Sequence, residues 1–74
     1  MIIDGFEKAI IGIDQIANRI IYDKQKMIHI LVKSGMDYNQ AYEYLHHNLW
    51  SGWLGKETPI YMDPVTKKKL KETI

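Results

Sequence analysis

Seventy-four residues, no cysteine and a net charge of +1 describe one small domain without disulfides or thiolate metal sites. A chain of this size buries only about 60% of the surface it exposes when unfolded, so dense aromatic packing or self-association has to help stabilise it. No apolar run is long enough to span a bilayer, and the opening MIIDGFEK lacks the positive charge of an export signal; a soluble intracellular protein with no membrane partner is expected.

The charge is unevenly spread. Residues 1–63 hold six Lys or Arg against eight Asp or Glu, and residues 64–74 hold four Lys against one Glu. The expected division is a compact, mildly acidic domain over 1–63, followed by a basic tail or short helix over 64–74.

In chain order, AIIGI (9–13) and RIIYD (19–23) are β-rich runs joined by a polar loop with Asp14 and Asn18, the pattern of a β-hairpin. One helix over 6–21 also fits the spacing of Ala9, Ile13, Ile16, Ala17 and Ile20. Gly12 in its middle argues against that, at roughly 1 kcal/mol relative to alanine. Asp23 then caps a helix of about three turns. Met27, Ile28, Leu31 and Val32 form its apolar face, with Ile30 at the edge and Lys24, Lys26 and Lys33 outside. Gly35 ends it in the left-handed conformation, and Met36 folds back on the last turn.

A second helix starts with Asp37 and Gln40 as a capping box. Ala41, Leu45, Asn48, Leu49 and Gly52 share one of its faces, and Gly52 or Gly55 ends it. The run TPIYMD alternates as a strand, with Pro59 at its start or edge. The predicted fold is α+β: a β-hairpin, two antiparallel helices and a closing strand (ββααβ).

These residues carry a resemblance. Asp4-Gly5, Tyr22-Asp23, Gly35-Met36, Ala41-x-Glu43-Tyr44, Asn48, Trp53-x-Gly55 and Thr58-Pro59 resemble, in order and spacing, small uncharacterised proteins encoded by tailed bacteriophages. The likeness runs over residues 4–62 and omits the basic tail. It departs at His46-His47, where an acidic residue and an aromatic are expected, and at Ser51-Gly52, where Gly-Ala is expected. It implies a phage origin, a host-cytoplasmic setting and a fold, but no chemistry.

No motif points to catalysis. There is no nucleophile elbow, phosphate-cradling glycine loop or supported carboxylate pair, so the expectation is a non-enzyme without cofactor. His46 and His47 are adjacent and cannot chelate one ion, and His29 has no partner at i+4, so no metal site is expected. The helix pair around KSGMD imitates a helix-turn-helix, but Tyr38, Tyr42, Glu43, His46 and His47 are poor groove readers. The acidic body also opposes phosphate contact, which leaves nucleic-acid binding to the tail alone.

The candidate binding residues are Tyr42, Tyr44, His46, Asn48, Trp50, Trp53, Thr58 and Tyr61. Asn48, on the apolar face, should bond backbone of the following glycine-rich loop or of the Thr58 strand, or else read a ligand amide. Trp53 is expected in the core. Trp50 should face outward as an anchor, because Trp is enriched among residues that dominate binding energy, with Tyr42, His46 and Tyr61 as its rim. The reading is a non-catalytic binder of a host or phage macromolecule, a protein above all, acting as an inhibitor by occlusion. The alternative is a homo-oligomer that holds a nucleotide-type ligand between subunits, with Tyr44, Asn48, Trp53 and Thr58 lining the pocket.

Overall fold

The computed structural model describes residues 2–53 and 55–64. A short 3-10 turn, Glu7–Ala9, leads into strand β1 (Ile10–Asp14), and β2 (Arg19–Asp23) returns beside it. Helices α1 (Lys24–Lys33) and α2 (Tyr38–Leu45) follow, then a π-helical turn (His46–Trp50) and strand β3 (Ile60–Met62). The domain is therefore α+β, with a hairpin, two helices and a closing strand in the predicted order. The alternative helix over 6–21 does not form. The basic extension beyond Pro64 lies outside the described residues.

The hairpin loop is closed by local chemistry. The Asp14 carboxylate accepts the Ile16 N–H at 3.1 Å, and Asn18 takes a left-handed φ of 57°, which asparagine tolerates better than most residues. β1 pairs antiparallel with β2, and its register slips by one residue between Ile10 and Gly12. The slip is a bulge-like irregularity in β1. β3 pairs in parallel with β2, so the sheet order β1-β2-β3 has β2 at its centre. The parallel register follows from the crossover: both helices intervene before the chain returns to the sheet.

Cross-strand partners share a face of the sheet. Tyr22 stands opposite Ile10 and Tyr61 on the helical side, and its ring stacks on Tyr61 with centroids 6.0 Å apart. Tyr22 is fully buried, and its hydroxyl accepts the Ile3 N–H at 2.7 Å. That bond ties the N-terminal segment to the central strand. Around Tyr22 the core gathers Phe6, Ala9, Met27, Ile28, Ala41 and Leu45. Ile30 and Leu31 pack partly against it, whereas Val32, expected on the apolar face of α1, is exposed.

Both helices begin at side-chain caps, and α1 ends at a glycine. The Asp23 carboxylate accepts the Gln25 and Lys26 N–H groups. At the other end Gly35, with φ 119°, turns the chain so that Met36 N–H reaches Leu31 O and Gly35 N–H reaches Val32 O. This pair of bonds is the Schellman arrangement. Asp37 and Gln40 exchange side-chain and backbone bonds as a complete capping box.

Beyond Leu45 the helix widens, with Ser51 N–H bonding back to His46 O. A π turn advances by roughly 80° per residue instead of roughly 100°. Over five residues the slower advance brings Trp50 back toward the core by about a quarter turn and carries Asn48 away from it.

Candidate interaction surface

The π turn decides which indole meets solvent. Trp50, expected to face outward, packs half-buried against the core. Trp53, expected in the core, is 71% exposed. Asn48, expected to hold the glycine-rich loop, is also exposed, and its amide donates to Tyr44 O one turn back at 2.8 Å. The loop is held by other means.

Arg19 provides them. It leaves β2 on the side of the sheet opposite Tyr22. Its Nε donates to Thr58 O at 2.5 Å and its Nη2 to Pro59 O at 3.4 Å. Thr58 is buried, and its backbone N–H and hydroxyl both donate to Gly55 O, closing a turn over residues 55–58. The same guanidinium lies 5.9 Å from the centroid of the Trp53 ring, at the limit of a cation–π contact. One arginine thus holds the approach to β3 and lies beside an indole that stays largely in solvent. Sequence reasoning passed over Arg19, because a single basic residue at a strand start carries no local signal of the carbonyls it will meet.

Trp50 sits in a second cluster. Tyr42 meets it edge-on with centroids 5.5 Å apart and stacks in parallel on His46 at 6.0 Å. The Lys24 ammonium lies 4.8 Å from the Trp50 ring centroid and 3.8 Å from the Asp63 carboxylate. Lys24 therefore links the first turn of α1 to the π turn and to the end of β3. The Trp50 Nε1–H is buried without a hydrogen-bond acceptor among the described residues, a state that costs about 1–3 kcal/mol.

Tyr42, Tyr44 and His46 are all exposed. His47 Nε2 lies 3.0 Å from the Glu43 carboxylate one turn earlier. Tyr61, expected at the rim of an aromatic patch, is half-buried on Tyr22 instead. Burial, and secondarily the neighbouring Tyr22, pushes its hydroxyl pKa above the ordinary value. Tyr44 and Asn48 lie exposed on the helical segment, while Thr58 is buried in the turn before β3. Among the described residues no three His, Cys, Asp or Glu side chains gather as metal ligands. No described helix is long and apolar enough to cross a membrane.

The fold and the site define a small α+β domain that presents an arginine-braced indole. No family model, curated protein or solved structure matches the chain.

Proposed function

We propose that the protein is a non-catalytic binding module that engages a protein partner through Trp53. The observation behind this is a 71% exposed indole beside Arg19, which also bonds the turn before β3. Binding surfaces take most of their energy from a few Trp, Tyr and Arg side chains. An indole restrained before contact loses less conformational freedom when a partner covers it. The exposed Tyr42, Tyr44 and His46 add aromatic area of the same kind.

The resemblance to small tailed-phage proteins supplies the setting: an accessory protein in the host cytoplasm that occludes a site on a host or phage protein. The test is affinity capture from infected-host lysate, followed by a binding titration with the partner recovered. Trp53→Ala should weaken that partner's binding by at least about 30-fold, the effect of a hot-spot side chain. Equal affinity for wild type and Trp53→Ala overturns the reading.

A further inference from the structure

On another part of the molecule, a groove of about 680 Å³ lies between the 3-10 turn and one side of α1. It shares no residue with the Trp53 surface, so a ligand held there is independent of the function proposed above. Lys8 reaches the groove from the turn, and Lys26 and Lys33 reach it from α1. On the helix, positions 26, 29, 30 and 33 repeat at three and four residues, so they fall on one face.

The charge in this groove is not balanced. Among the described residues Lys24 pairs with Asp63, the His47 ring meets the Glu43 carboxylate, and neither contact involves Lys8, Lys26 or Lys33. One carboxylate, Glu7, lines the groove, but it is turned to the backbone and accepts the Gly5 N–H at 3.1 Å. The lining thus sets three lysines against one carboxylate, an excess of positive charge in one concavity. A cleft whose lining carries an excess of one sign of charge concentrates counter-ions of the other sign. Lysine holds phosphate as a point charge, without needing the paired geometry of an arginine fork.

We propose that this groove is a binding site for an oligophosphate anion. The phosphoryl oxygens would lie among the Lys8, Lys26 and Lys33 ammonium groups. Ile30 and the alkyl stems of the two helical lysines supply an apolar wall for an attached organic group. The volume falls within the usual range for small-molecule sites, about 300–1,000 Å³. His29, on the same helix face, adds a ring nitrogen that can donate to a phosphoryl oxygen.

Titration calorimetry on the full chain tests the site, with ATP, inorganic tripolyphosphate and adenosine as probes. Wild type should bind ATP or tripolyphosphate with a submillimolar Kd that weakens as salt is raised, and should not bind adenosine. Tighter binding of ATP than of tripolyphosphate identifies an organic phosphate as the preferred source, and equal binding identifies the phosphate chain alone. Lys26→Gln combined with Lys33→Gln should raise Kd by at least about tenfold. Both side chains are exposed, so the variant should keep the wild-type circular dichroism. Lys56→Gln, outside the groove, should bind as wild type does. Absence of binding to either phosphate at millimolar concentration overturns the assignment. So does an unchanged Kd in the double variant, which would place the phosphates elsewhere on the chain.

Discussion

Arg19→Lys isolates the geometry of the guanidinium from its charge. Arginine presents its donors in a rigid fork, whereas lysine offers one compact ammonium at the end of a flexible stem. Lysine at this position cannot reach both Thr58 O and Pro59 O in the arrangement that Arg19 adopts. A hydrogen bond from a charged donor contributes about 1.5–3 kcal/mol, and the longer bond to Pro59 adds less. The expected loss is about 2 kcal/mol, equivalent to a fall in Tm of about 8–16 °C for a domain of this size. Thermal unfolding followed by far-ultraviolet circular dichroism measures it. A midpoint within about 2 °C of wild type would show that the turn before β3 is held without the arginine. Trp53 would then stand without a brace, and its preorganisation for binding would be refuted.

Two further outcomes follow from the central tyrosines. Tyr22→Phe deletes the acceptor for the half-buried Ile3 N–H and should lower stability by about 1–3 kcal/mol. Urea denaturation should show this as a lower midpoint at unchanged slope, and an unaltered midpoint would rule out the tie to the N-terminal segment. Tyr61 gives a pH dependence. Its hydroxyl pKa is raised above the ordinary value of 10.0, so the native state holds that proton more tightly than the unfolded chain does. The contribution is fully present below pH 10.0 and is lost as pH rises through the folded-state value. Urea midpoints taken on both sides of pH 10.0 should therefore decline at the alkaline end, and Tyr61→Phe should flatten the decline.

Where structure is set by neighbours in sequence, the residues could be read directly. Asp23, Gly35 with Met36, and Asp37 with Gln40 each act within a few positions of themselves, and the helix ends they set fall where expected, whereas α2 ends at Leu45 and not at Gly52 or Gly55. The hairpin was legible for the same reason, since Asp14 and Asn18 shape its loop locally and Gly12 weighed against the competing helix. The aromatic surface was less legible because its phase is set at a distance. Nothing in HHNLW demands a π turn, so constant helical spacing carried forward from Ala41 assigned Trp50 and Asn48 to the wrong sides. Arg19 and the lysine groove were hidden for a related reason. Each joins segments far apart in the chain, Arg19 to Thr58 and Lys8 to Lys26 and Lys33, and periodicity within one element does not register such meetings.

The widened turn at His46–Trp50 has an evolutionary consequence. Gaining or losing a single residue there swivels everything downstream, so sequence length controls the exterior as strongly as amino-acid identity does. Proteins of this architecture could exchange an inward indole for an outward one through a one-codon insertion or deletion, with every aromatic side chain retained. A lineage under pressure to change targets would then have a route to a new outer face that leaves the hairpin and the helix caps untouched.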